Sequence, residues 1–178
     1  MGADAEGLSQ SDLSWRNILK MIFVTLGSQK FQFNRLLQEV DRLVESGVIT
    51  EEVYAQTGYS DYRPKNFAFS QFLSRDEFAA HIKASDIVIT HGGTGAIIGA
   101  VKAGKKVIAF PRLAKYGEHV DDHQLQIIEL FKESNLIIGC MECGELEDAL
   151  KRIDTLTFTP YVSNTDRIID SIEAFINK

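Results

Sequence analysis

The stretch Ile89-Thr-His-Gly-Gly-Thr-Gly-Ala96 holds residue types that bind an anion without a cluster of lysines. Gly92, Gly93 and Gly95 let the main chain approach a ligand closely. A helix start here offers unpaired N–H groups and the positive end of the helix dipole, which together make an anion site. Thr94 adds a hydroxyl. His91, at the tip of the preceding apolar run, places an imidazole where it can donate to a phosphate oxygen. A glycine cluster alone also fits a tight turn that binds nothing.

A second polar segment follows the next apolar run. Phe110-Pro-Arg112 leaves that run, and Gly117-Glu-His-Val-Asp-Asp-His-Gln124 leads into a helix. Arg112 and Lys115 lie on the same edge as His91; they either offset an anion's charge, meet an anionic lipid headgroup, or belong to a solvated loop. Glu118 and His119 pair a carboxylate with an imidazole, as general acid–base chemistry uses, although in loops such pairs are commonly just solvated. His123 fits a core role or a ligand role, and His81 is expected on the outer face of an amphipathic helix. Cys140-Met-Glu-Cys143 is a single C-x-x-C. A structural zinc site needs about four ligands, so both thiols read as inert. Lys105 and Lys106 flank a strand entrance on the opposite edge. No D-x-D string occurs, and a helix terminus can neutralise a diphosphate by itself. Neither a metal nor a cofactor is expected.

These residues need a scaffold to bring them together. Apolar runs rich in β-branched residues predict strands at Met21–Leu26, Glu52–Gln56, Asn66–Phe72, Asp86–Thr90, Lys106–Phe110 and Leu136–Gly139. Helical spacing predicts helices over Phe33–Ser46, from the Ser74…Glu77 capping box to Lys83, up to Ala103, over Asp121–Glu133, Gly144–Ile153 and Ser163–Ile176. Strands alternating with helices give an α/β fold: a doubly wound, mostly parallel, Rossmann-like sheet of about six strands. Such sheets bind ligands at the carboxyl ends of their strands, near the point where strand order reverses. The first loop, Gly27-Ser-Gln-Lys30, lacks the G-x-G-x-x-G fingerprint, which argues against a dehydrogenase.

Composition narrows the class further. The chain has 178 residues, 44% hydrophobic and 25% charged, enough for one globular domain. It has no long apolar run of membrane-spanning length. A net charge of -6 argues against a globally basic nucleic-acid binder. Two cysteines in this length suggest a reducing compartment, the cytoplasm. Residues 1–20 are polar and lack the apolar centre of a signal peptide. They are expected to be a tail or appended extension, with Leu13, Trp15, Ile18 and Leu19 able to form one amphipathic turn, and the domain is expected to span 21–178.

The string HGGTGAIIGAVKAGKKVIAFPRLAKYGEHVDDHQLQI, with the opening MIFVTLGSQKF, resembles the carboxyl-terminal donor domain of GT-B glycosyltransferases. It is similar to MurG-type transferases and to the nucleotide-sugar motif of plant glucosyltransferases. Most of all it resembles the small soluble subunit of two-part transferases. These include the eukaryotic enzyme that adds the second GlcNAc to dolichol-linked oligosaccharide, and bacterial exopolysaccharide enzymes of the PssD/PssE type. The resemblance implies that His91 is catalytic and faces the donor diphosphate, that Thr94 and Gly95 hold phosphate beside Gly92 and Gly93, and that Gly27 and Ser28 face the diphosphate and the acceptor. It implies that Asp122 and Gln124 read sugar hydroxyls and that Phe72 and Leu73 receive uracil. Many relatives carry a ribose-binding Glu where Gly99 stands; Glu118 is one candidate replacement, and the ribose ligand is left open.

A GT-B enzyme reacts between two such domains, and this chain has residues for one. The resemblance therefore implies a membrane-anchored, acceptor-binding partner subunit, a UDP-sugar donor and a lipid-linked acceptor at the inner membrane face. Alone, the chain is expected to self-associate and to turn over poorly. The reading is a donor-binding catalytic subunit of a glycosyltransferase; the alternative is a non-catalytic enhancer or stabilising subunit of a partner transferase.

Overall fold

Met21-Ile-Phe-Val-Thr25 forms the strand at the centre of the sheet because its residues are apolar on both faces: Ile22 and Val24 pack into one core, Phe23 into the other. The computed structural model describes residues 20–163. The tail expected before Met21 and the helix expected over Ser163–Ile176 lie essentially outside the described residues.

Six parallel strands run β1 (Met21–Thr25), β2 (Glu52–Gln56), β3 (Ala68–Ser70), β4 (Ile87–His91), β5 (Lys106–Phe110) and β6 (Ile138–Gly139). Their spatial order is β3-β2-β1-β4-β5-β6. Strand order therefore reverses between β1 and β4. There Thr25 pairs in register with Gln56 on one side and Thr90 on the other. The loops that leave these strands consequently share one edge. Helices α1 (Asn34–Glu45) and α5 (Leu146–Ile153) cover one face, burying Leu36, Leu37, Val40 and Leu146. Helices α2 (Arg75–Ala84), α3 (Thr94–Lys102) and α4 (His123–Glu133) cover the other, burying Ile82, Ile97 and Ile128. The expected capping box starts α2: Glu77 N donates to Ser74 Oγ at 3.3 Å and Ser74 N to Glu77 Oε2 at 2.8 Å.

The edge strands are shorter than the apolar runs that predict them. β3 has three residues because the chain before it is bound elsewhere. The buried Asp41 carboxylate accepts from the amides of Lys65 and Asn66, from Asn66 Nδ2 and from the Tyr62 hydroxyl at 2.6 Å. β6 has two residues because the preceding residues finish α4. Asn135 adopts a left-handed φ of 54° and Leu136 N reaches back to Phe131 O at 3.1 Å, the usual wrap at a helix end. The polar loop before α4 contains a 3-10 turn at Ala114–Tyr116, and α4 begins at His123 rather than Asp121. His81 is a correction to its expected surface position: it is half-buried, its ring stacked 4.0 Å from Tyr54 and 5.4 Å from Phe23. No helix among the described residues is long and apolar enough to cross a membrane.

Candidate functional site

The shared edge at the strand-order reversal opens into a cavity of about 640 Å³. The first loop contributes Gly27 and Ser28, the end of β2 contributes Gln56, and the loop after β3 contributes Phe72 and Leu73. The β4–α3 turn contributes His91, Gly92, Gly93, Thr94 and Gly95. Gln124 and His123 close the wall from α4.

His91 sits between two glycines. A Cβ at Gly93 would lie 2.3 Å from His91 Nε2, and one at Gly27, whose φ is +71°, would lie 2.7 Å from Cε1. Only glycines leave room for the ring in this position. The ring is 7% exposed. Burial, reinforced by the nearby Arg112 cation, pushes its pKa down to about 4, so the imidazole is neutral at physiological pH. Its Nδ1 lies 3.4 Å from Thr90 Oγ1, and that hydroxyl donates to Thr25 O at 3.1 Å. No side chain caps the start of α3. The first-turn amides of Thr94 and Gly95 have no intrahelical acceptor and are free for a ligand, with the positive end of the helix dipole behind them.

Two glutamines hold the loops around this centre. Gln124 Oε1 accepts from Gly92 N at 3.2 Å and from Arg112 N at 3.0 Å, joining the β4 and β5 loops. Gln56 donates through Nε2 to Gly27 O at 3.3 Å and accepts at Oε1 from Leu73 N at 3.2 Å, joining the first loop to the β3 loop. At the cavity mouth Phe72 and Tyr59 are exposed and meet edge-to-face at 5.3 Å, leaving aromatic surface for a planar ring.

Three residues expected at the site are not brought to the cavity. Arg112 is fully buried behind the first loop, where Nη2 donates to Leu26 O at 2.6 Å and to Phe31 O at 3.2 Å. Its Nε and Nη1 have no hydrogen-bond partner among the described residues, and burial lowers its pKa to about 10, which leaves it charged. Glu118 is 1% exposed; Oε1 pairs with Arg35 Nε at 2.7 Å and Oε2 accepts from Leu113 N at 3.0 Å. Buried this way, it does not reach the cavity to take a ribose. Asp122 accepts from Ala114 N at 2.7 Å and so braces the loop. Gln56 and Arg75 line the cavity and are not among the residues expected from sequence. Gln56 reads as the last residue of a strand, and Arg75 looks like any charged residue in a first helical turn. Both cysteines are buried, and burial raises their thiols to about 12, which suits inert packing rather than redox work.

The arrangement can hold a diphosphate at the α3 amides and His91, with an attached planar base against Phe72. The glycosyltransferase family 28 C-terminal domain matches residues 21–172. The chain is 34% identical over 82 residues to the UDP-N-acetylglucosamine transferase subunit ALG13 of Candida glabrata, covering 46% of this chain and 39% of that one. It is 25% identical over 126 residues to the same-named subunit of Debaryomyces hansenii, covering 68% of this chain and 56% of that one. The matches thus span about half or less of these relatives' length. Among solved structures, the solution structure of ALG13 aligns with a TM-score of 0.55 at 18% identity, over 87% of this chain and 95% of that one. MurG of Acinetobacter baumannii aligns with a TM-score of 0.51 at 16% identity, over 78% of this chain and 40% of that one. At these identities the structures speak to fold, a GT-B half-domain.

Proposed function

The chain belongs to the glycosyltransferase family 28 C-terminal domain family, and from that premise we propose that it is the donor-binding catalytic subunit of a heteromeric glycosyltransferase. The donor is a UDP-sugar and the acceptor a lipid-linked saccharide in polysaccharide or oligosaccharide synthesis. The observation that carries this reading is the uncapped start of α3 facing one cavity with a neutral histidine held between Gly27 and Gly93. The relatives named as UDP-N-acetylglucosamine transferase subunits support the same reading.

In this proposal an acceptor hydroxyl attacks the anomeric carbon and UDP leaves. The amides of Thr94 and Gly95, with the Thr94 hydroxyl, stabilise charge as it develops on the diphosphate. His91 contributes as a neutral donor in the tautomer that carries its proton on Nε2, the nitrogen beside Gly93. In the structure Nδ1 faces the Thr25 carbonyl and the Thr90 hydroxyl that donates to that carbonyl, so donation to the diphosphate requires the proton to move from Nδ1 to Nε2. Arg112 acts at one remove: its buried charge holds the first loop and adds positive potential behind it. Phe72 stacks on the uracil. Neutralisation by the helix start leaves no required metal or cofactor.

The described residues form one half-domain, and the relatives named as transferase subunits support an acceptor side supplied by another chain. We assign that side to a membrane-anchored partner subunit, which recruits this chain to the inner membrane face. Reconstitution tests the reading. The purified chain, the partner and their mixture are assayed for sugar transfer to a lipid-linked acceptor, and turnover is expected only in the mixture. Full transfer by this chain alone contradicts the two-part reading. Normal specific activity of a mixture carrying His91→Ala contradicts the catalytic role; the expected loss is on the order of 100-fold, the worth of one oxyanion donor.

A further inference from the structure

We propose that His119, Asp121 and His123 form a binding site for a divalent first-row transition-metal ion at the start of α4, beside the cavity that His123 lines. One potential ligand atom from each residue lies within 4.8 Å of the other two. Both imidazoles approach the same carboxylate oxygen: His119 Nδ1 is 3.3 Å from Asp121 Oδ1, and His123 Nδ1 contacts that oxygen as well. His119 Nδ1 also accepts from Asp121 N at 3.4 Å, so its lone pair is directed into this cluster and is available to a cation.

The site is partly built in advance. His119 has a side chain only 8% exposed and packs against Phe31 with ring centroids 4.7 Å apart. The His123 ring meets it edge-to-face at 4.7 Å. The backbone entering α4 fixes the spacing, since His123 N donates to Asp121 Oδ1 at 3.1 Å. Asp121 and His123 are open to solvent, so an ion has a path in.

The donor set selects the ion. Two imidazoles and one carboxylate suit zinc, cobalt, nickel or copper, whereas magnesium and calcium favour oxygen ligands throughout. Three protein ligands leave at least one coordination position for water or an anion. His123 also lines the cavity, so an ion here borders the cavity on the α4 wall, apart from the α3 amides. Its binding does not require a nucleotide, and the transfer proposed above does not require the ion.

Cobalt chloride titrated into the full chain, with any affinity tag removed, tests the site. Visible absorption and calorimetry are expected to give one ion per chain without a thiolate-to-metal band, displaced by zinc and untouched by magnesium. His119→Ala is expected to weaken binding at least about tenfold. His123→Gln and Asp121→Asn, both at exposed positions, are expected to do the same without change in the metal-free melting temperature. Unchanged cobalt affinity in the His123→Gln and Asp121→Asn variants overturns the proposal. A thiolate band, which would place the ion on Cys140 and Cys143, overturns it too.

Discussion

Gly93 and Gly99 belong to the same short segment yet carry opposite expectations. Gly93 has ordinary φ, so alanine there meets no backbone strain, but its Cβ would fall 2.3 Å from His91 Nε2 and drive the ring out of place. Gly93→Ala should therefore abolish transfer by the reconstituted enzyme and lower stability by about 1–3 kcal/mol, the usual cost of overpacking. Gly99 sits mid-helix, and a methyl group added there would meet nothing within 4 Å. Gly99→Ala should raise stability by about 0.5–1 kcal/mol and leave transfer intact; activity and thermal melts on both variants check the pair. His91 also sets a pH dependence. Its folded pKa of about 4 lies below the ordinary 6.5, so the stability it permits is complete above pH 6.5 and is lost as pH falls towards 4. Asp41, whose hydrogen bonds from Tyr62, Lys65 and Asn66 outweigh its burial, is held below the usual 3.8 and loses its contribution only at lower pH. Urea unfolding at pH 7 and pH 5 should differ by about 2 kcal/mol on account of His91, and His91→Ala should largely remove the difference. The glycines and His91 were legible because spacing alone reveals a strand-to-helix turn. The true states of Arg112 and Glu118 were not, because their partners Leu26, Phe31 and Arg35 stand some 80 positions away in sequence.

At the scale of elements, the pair Arg35–Glu118 ties the polar loop after β5 to the first turns of α1. Arg35 also donates to Pro111 O at 2.7 Å, and Glu118 fixes Leu113 N. Arg35→Met leaves a carboxylate buried without its cation, a change that typically costs about 3–5 kcal/mol. Arg35→Met combined with Glu118→Leu should recover little of that loss, because it takes from the buried Arg112 the carboxylate that offsets its charge. Chemical denaturation of both variants checks this; a double variant as stable as the wild-type chain would mean that Arg112 needs no counter-charge. The central strands were readable from sequence because burial on both faces leaves an unbroken apolar run. β3 and β6 were overestimated because the Asp41 carboxylate and the end of α4 claim residues that a run of apolar letters assigns to a ladder. The turn at Ala114–Tyr116 went unseen since Asp122 and Glu118, which brace it, look like free ligands in a polar string.

At the scale of the molecule, strand order did most to locate the candidate site. Parallel strands around β1 and β4 align the ends of β1, β2 and β4 by register, and the glycine turn after β4 necessarily falls at their reversal. The alternation of strands and helices made this legible in the sequence; the Gln56 and Gln124 clamps that set the cavity's width were not, since each is a single polar residue at an element's end. The central claim is that this chain itself holds the nucleoside diphosphate. Calorimetric titration of UDP into the isolated chain, with Gly93→Ala as its companion, tests it most directly. Saturable binding to the wild-type chain and loss of that binding in Gly93→Ala is the expected result; no UDP binding by a folded wild-type chain would contradict it and leave only a stabilising role.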